Sequence, residues 1–200
     1  MVATILTTDI SAVADVLLGG GVAVIPTDTV YGVAASLDHL DAVRRLFVVK
    51  QRPESVALPV MCPDVPSARA LATSWPDDAT TLADAFWPGP LTLIVPTDAA
   101  RAQLIGGLGS IGLRVPNDEQ LVALLRLTGP LAVSSANEHG SPPATSAVMA
   151  MSGVGRRADI IWDGGRRGGE VSTVVDLTGE LVIRREGALS REQIVNCLVK

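Results

Sequence analysis

Three polar clusters stand directly after apolar runs in this 200-residue chain: PTDT (residues 26–29) after VAVI, RVPN (114–117) after GL, and SSAN (134–137) after LAV. They are rich in hydroxyls, amides and arginine and contain no histidine or cysteine. The histidines are His39 and His139, and the cysteines Cys62 and Cys197 lie far apart, outside any metal-ligand spacing. A zinc site or a Ser-His-Asp triad therefore fits poorly. Groups of the kind present act by positioning and by stabilising anions. That suits phosphate chemistry, where catalysis is mostly holding and neutralising charge. Neither GxxxxGK[ST] nor a GxGxxG after a strand occurs, and GGLG (106–109) reads equally well as a turn.

Two further features carry chemical information. The stretch IPTDTVYG (25–32) holds the only tyrosine of the chain, Tyr31, amid hydroxyls and a carboxylate. An Asx or ST turn closing the strand would account for Asp28 there. The chain also carries fourteen arginines and only two lysines, Lys50 and the terminal Lys200. An arginine-favouring codon bias accounts for the average but not for the one internal lysine. A compact ammonium differs from a planar fork, which marks Lys50 as a place where arginine does not fit. The competing reading puts Lys50 and Arg52 at a solvated helix end favoured by the helix dipole. As exposed charges they would contribute only about 0–1 kcal/mol to folding.

The elements that must position these groups alternate between helical and strand-like patterns. A helix is predicted over residues 11–18, ended by three glycines, followed by strands VAVIP and YGVAAS. Asp38 or Asp41 is expected to cap the next helix, with Leu40, Val43, Leu46 and Phe47 on one face and its end before Pro53. ALPVMC reads as a strand, 77–86 as a helix broken by WPGP, LTLIVP as the clearest central strand, and IGLRVP as another. Asn117 is expected to cap a helix through Leu127, LAVSSAN to run from strand into turn, and a short helix to lie near 146–151. DIIWDGG, STVVDL and ELVIRRE read as strands. Ser190 with Gln193 forms a capping box for a last helix. GRRGGE (165–170) is the segment expected to move.

Composition sets bounds. With 48% hydrophobic and 18% charged residues, the chain suits one α/β domain over residues 1–200 with a full core. A net charge of -5 opposes bulk electrostatic binding of nucleic acid, so tRNA binding is allowed but not indicated. No apolar run is long enough to span a bilayer, and no basic stretch precedes an apolar run at the N-terminus. A cytoplasmic protein is expected, with both cysteines as small buried hydrophobes.

The ordered set IPTDTVYG, KQRP, WPGPLTLIV, GLRVPN, SSAN and STVVDL resembles the YrdC-like family of threonylcarbamoyl-AMP synthases, over about residues 9–188. The resemblance implies a single twisted, mixed-sheet α/β domain around a basic concave cavity. It implies formation of threonylcarbamoyl-AMP and pyrophosphate from L-threonine, bicarbonate and ATP, with Mg²⁺ accompanying ATP and no protein-held metal. Downstream proteins would transfer the threonylcarbamoyl group to an adenosine of tRNA. By position, Thr29, Arg114 and Ser172 match threonine contacts, with Arg114 taking the carboxylate. Lys50 and Arg52 match the catalytic pair that neutralises phosphate charge. Ser110, Ser135, Asn137 and Arg185 match ATP contacts alongside that pair. Val56, Met61 and Pro143 stand where other members place asparagine, histidine and serine. Those departures define the alternative: a non-catalytic paralogue that binds nucleotide or RNA.

Overall fold

The computed structural model describes residues 4–51, 56–138, 141–168 and 170–199. Its elements run β1 (Ile5–Thr7), α1 (Ile10–Leu18), β2 (Ala23–Pro26), β3 (Tyr31–Ser36), α2 (Leu40–Lys50), β4 (Val60–Met61), α3 (Val65–Ala70) and α4 (Asp77–Phe86). There follow β5 (Leu91–Pro96), α5 (Ala99–Leu104), β6 (Ser110–Arg114), α6 (Glu119–Thr128), β7 (Leu131–Ser135), α7 (Ala147–Ser152) and a 3₁₀ turn (Val154–Arg157). The chain closes with β8 (Ile160–Trp162), β9 (Thr173–Asp176), β10 (Val182–Arg185) and α8 (Arg191–Leu198). Among the described residues the strands form one mixed sheet in the order β1-β8-β2-β3-β7-β4-β6-β5-β9-β10. The fold class is α/β, as the alternating patterns predict.

Alternation along the strands divides the sheet into two faces. On one, Val60, Leu91, Leu93, Ile111, Leu113 and Val175 join a large core with residues of α2, α4, α7 and α8. On the other, Ala23, Ile25, Leu131 and Trp162 pack under Val13 and Leu17 of α1 and Leu121 and Leu125 of α6. These two helices lie over the β2, β3, β7 and β8 region of their face, with Met61 of β4 at the edge of their cluster. Over β4, β6, β5 and β9 the same face carries Met61, Thr92, Ile94, Ser110, Gly112, Arg114 and Val174, and there a cavity opens.

The helix starts show where the predicted caps move. Asp118 caps α6, its Oδ1 accepting from Leu121 N at 2.9 Å, and Asn117 instead donates its own N–H to Asp28. Neither Asp38 nor Asp41 caps α2; His39 occupies the N-cap position without a side-chain cap bond. Its ring Nε2 lies 2.8 Å from Leu18 O, which ties α2 to the end of α1. Gly20, at φ 79°, lets the backbone pass against that ring, where a Cβ would lie 3.2 Å from Nδ1. Leu40 is 45% exposed, so the buried face of α2 rests on Val43, Leu46 and Phe47. The Ser190–Gln193 capping box forms as predicted.

Of the segment GRRGGE (165–170), Gly169 lies outside the described residues, and residues 165 and 167 make contacts with the rest of the fold. Tyr31 Oη donates to Gly165 O at 2.7 Å and accepts from Gly164 N at 3.2 Å. Arg167 N donates to Thr145 O at 2.9 Å, and its guanidinium pairs with Asp118 at 3.1 Å. Residues 164, 165 and 167 are thus tied to the start of β3, the segment before α7 and the N-cap of α6.

Of the cysteines, Cys62 is buried but Cys197 only half-buried, because α8 lies at the rim of the core. Burial pushes the Cys62 thiol up to about 12, and the nearby Asp64 charge acts in the same sense. At pH 8 a maleimide reagent should therefore label Cys197 in the native chain and reach Cys62 only on unfolding. Native-state labelling of both at equal rates would contradict this burial.

Candidate active site

The cavity, about 280 Å³, lies near the lower end of the range for small-molecule sites. Its wall is assembled from distant segments: the 27–30 turn between β2 and β3, residues 57–59 before β4, the cavity faces of β5 and β6, the end of β7, and the approach to β9 with Arg185 of β10. Six sequence-predicted residues line it: Thr29, Ser110, Arg114, Ser135, Ser172 and Arg185. Met61 and Ala57 line it too. Val56 is 44% exposed beside the wall, and Pro143 is absent from the lining.

The turn at 27–29 divides the roles that its sequence left open. Thr27 Oγ1 accepts from Thr29 N and Val30 N at 3.2 Å each and donates to Val30 O at 2.7 Å, so Thr27 closes the ST turn. Asp28 is released from that task. Its Oδ1 accepts from Arg114 Nη2 at 2.6 Å and its Oδ2 from Asn117 N at 3.0 Å. Thr29 Oγ1 accepts from Arg114 Nη1 at 3.2 Å and lies 3.0 Å from Thr27 Oγ1.

Arg114 is held on three sides. Besides Asp28 and Thr29, its Nε donates to Gly89 O at 3.0 Å, so the WPGP segment also serves the site. Gly89 must be glycine, since a Cβ there would fall 2.4 Å from Phe86 O. The Arg114–Asp28 pair is buried, with side chains 4% and 10% exposed. Neither the turn reading nor the family match pointed to this pair. An aspartate 86 residues before an arginine leaves no local pattern, and only strand order brings them together.

Across the cavity, Arg185 Nε and Nη2 donate to Ser172 O at 3.0 and 2.9 Å, and Nη2 also reaches Ser172 Oγ at 3.1 Å. Arg184 turns away and pairs with Asp176 at 2.9 Å. Burial lowers the pKa of Arg185, and the Arg114 charge lowers it further. Burial also lowers that of Arg114, against the raising effect of Asp28. An anion placed near both would offset the effect of the Arg114 charge on Arg185.

Lys50 is 4% exposed, which overturns its reading as a solvated charge at a helix end. Gln51, in the left-handed conformation at φ 51°, ends α2 and leaves Lys50 pointing inward. Nζ donates to Ser135 O and Asn137 O at 2.6 Å each, with Ser135 Oγ at 3.4 Å and Asn137 Oδ1 at 3.3 Å. Three ammonium hydrogens suit this cage of oxygens better than a planar fork would. Asn137 Nδ2 donates to Glu138 O and Ser141 O at 2.9 and 2.7 Å, so its amide braces its own turn and does not line the cavity. Arg52 lies outside the described residues. Among the described residues, no group of three or more His, Cys, Asp or Glu is placed to hold a metal ion.

The arrangement defines a class: an α/β protein with a cavity on one sheet face, lined by two guanidiniums and several hydroxyls that can hold an anionic ligand. The chain belongs to the Sua5–YciO–YrdC family, whose model, described as "Telomere recombination", matches residues 15–187. It is 36% identical over 190 residues to the threonylcarbamoyl-AMP synthase of Bacillus subtilis, covering 92% of this chain and 55% of that protein. It is 34% identical over 179 residues to the threonylcarbamoyl-AMP synthase of Stutzerimonas stutzeri, covering 88% of this chain and 96% of that one. The crystal structure of Pyrococcus abyssi Sua5 complexed with L-threonine superposes with a TM-score of 0.90 at 34% identity, covering 99% of this chain and 61% of that one. The chain thus spans about half the length of the longer relatives it matches.

Proposed function

We propose that this chain is an L-threonylcarbamoyladenylate synthase, a nucleotidyltransferase that forms threonylcarbamoyl-AMP and pyrophosphate from L-threonine, bicarbonate and ATP. The observation that carries this reading is the convergence of Thr29, Ser110, Arg114, Ser135, Ser172 and Arg185 on one cavity from segments scattered through the chain. Relatives named for this activity and a neighbour complexed with L-threonine support it.

In this reading Arg114, Thr29 and Ser172 bind threonine, with the Arg114 fork on the carboxylate. The neutral threonine nitrogen bonds to the carbon of bicarbonate and water leaves, giving an N-carboxylate. An oxygen of that carboxylate attacks the α-phosphorus of ATP. The bond from that phosphorus to the bridging oxygen breaks, and pyrophosphate leaves with the electron pair. Ser110, Ser135 and Arg185 hold ATP. Asn137 does so through the turn it braces. Lys50 and Arg52 neutralise phosphate charge as it develops, Lys50 from its place beneath Ser135. Mg²⁺ enters as part of the ATP substrate, held by the phosphates. The product would then pass to proteins that transfer the threonylcarbamoyl group to tRNA in the cytoplasm. No helix among the described residues is long and apolar enough to cross a membrane.

Mass spectrometry of a reaction with ¹³C-bicarbonate tests the reading: one labelled carbon should appear in a threonine- and AMP-containing product. ATP bound without any labelled product would instead favour a paralogue that only binds nucleotide.

A further inference from the structure

The WPGPLTLIV segment supplies Gly89 to the site, yet the proposed function gives no task to the threonine within it. Thr92 is 5% exposed, lies on the cavity face of β5 and lines the cavity. Among the described residues its hydroxyl has one hydrogen-bond partner, Ser172 Oγ at 3.0 Å. Its methyl faces Gly112, where an added Cβ would sit 3.3 Å from Thr92 Cγ2. A β-branched side chain held in that way has little rotamer freedom, so the hydroxyl is aimed at Ser172.

The proton count at Ser172 is restrictive. A serine hydroxyl has one hydrogen to donate and two lone pairs, and arginine can only donate. Arg185 Nη2 therefore fills one lone pair of Ser172 Oγ. If Ser172 gives its hydrogen to Thr92, it has none for a ligand. If Thr92 donates, the second lone pair is filled and the Ser172 hydrogen is free for the cavity. A carboxylate or phosphate oxygen only accepts, so an anion in the cavity selects the second arrangement.

We infer that Thr92 is a positioning residue: it donates to Ser172 and so turns the Ser172 hydroxyl into a hydrogen-bond donor for an anionic ligand. Chains of hydrogen bonds that run in one direction strengthen each other, which adds to the effect. The inference rests on the synthase reading only for naming threonine as that ligand.

The test is a calorimetric titration of L-threonine and, separately, inorganic phosphate into the wild-type chain, Thr92→Val, Thr92→Ser, Ser172→Ala and the double variant Thr92→Val/Ser172→Ala. Thr92→Val should weaken binding about two- to tenfold, the range for one neutral hydrogen bond, and Thr92→Ser should restore it. On the Ser172→Ala background Thr92→Val should have almost no further effect, because its partner is gone. Thr92→Ala, with no hydroxyl and no added bulk, repeats the measurement if circular dichroism shows that valine disturbs the sheet. Unchanged or tighter binding in Thr92→Val, or an equal loss on both backgrounds, overturns the inference. Phosphate binding with the expected pattern but no threonine binding sinks the synthase reading and leaves the Thr92 role standing. Binding of neither probe by the wild type overturns the Thr92 role itself.

Discussion

Arg114→Ala is expected to fail twice, in binding and in folding. Losing a charge-assisted bond to the threonine carboxylate costs about 1.5–3 kcal/mol, so threonine affinity should fall roughly ten- to a hundredfold in a calorimetric titration. The fold should suffer as well, because Asp28 is only 10% exposed and would be left without its cation. Breaking a buried pair from one side typically costs about 3–5 kcal/mol. A urea melt should show that loss. Asp28→Asn/Arg114→Met should recover part of it, since no uncompensated charge then remains buried. Threonine affinity should stay low in the double variant, which separates the two roles of the arginine. An unchanged melt in Arg114→Ala would mean that the Asp28 contact carries no weight in the folded chain.

The second large effect is expected at Lys50. Exposed, this charge would matter little for stability. Only 4% exposed and with two 2.6 Å bonds to carbonyls, it holds α2 to the turn after β7. Hydrogen bonds to charged groups contribute about 1.5–3 kcal/mol each, so Lys50→Met should destabilise the chain by about 3 kcal/mol. Turnover should fall further than the remaining folded fraction accounts for, because the Ser135–Asn137 turn loses its anchor as well as its nearby charge. Lys50→Arg should rescue neither property, since a fork cannot meet the two converging carbonyls from one point. Wild-type melting and turnover in Lys50→Arg would leave the rarity of lysine as codon history alone.

Much of this was legible in the sequence because it is local. Short apolar runs marked β2 and β5, the shared face of Val43, Leu46 and Phe47 marked α2, and the Ser190–Gln193 spacing marked the start of α8. What was missed is short or non-local. β1 is three residues at the sheet edge, with Ile5 and Leu6 half exposed, so its composition carries little strand signal. α3 and α5 are six residues each, too short to show a period, although Asp64 and Asp98 are ordinary N-caps that could have marked them. ALPVMC yields only the two-residue β4; residues 57–59 before it line the cavity, and Cys62 after it joins the core.

Six residues singled out from the sequence line the cavity, but their couplings were not legible there. The ordered motifs named Arg114, Ser172 and Arg185. No reading of spacing could show that Asp28 neutralises Arg114, that Thr92 faces Ser172, or that Lys50 lies inside the fold. Each of those pairs spans about eighty residues or more and depends on which strands are neighbours. The cap of α2, expected at Asp38 or Asp41, falls instead at His39, whose ring makes a tertiary contact with Leu18 that no local pattern shows.

The central claim is that one cavity joins threonine and bicarbonate and then delivers the product to the α-phosphorus of ATP. Release of pyrophosphate by the purified chain, with Mg²⁺ and ATP present, tests it most directly. The account predicts release only when both L-threonine and bicarbonate are supplied, with serine a weaker substrate because a missing methyl in an apolar contact costs about 1–3 kcal/mol. Release at the same rate without threonine would contradict it.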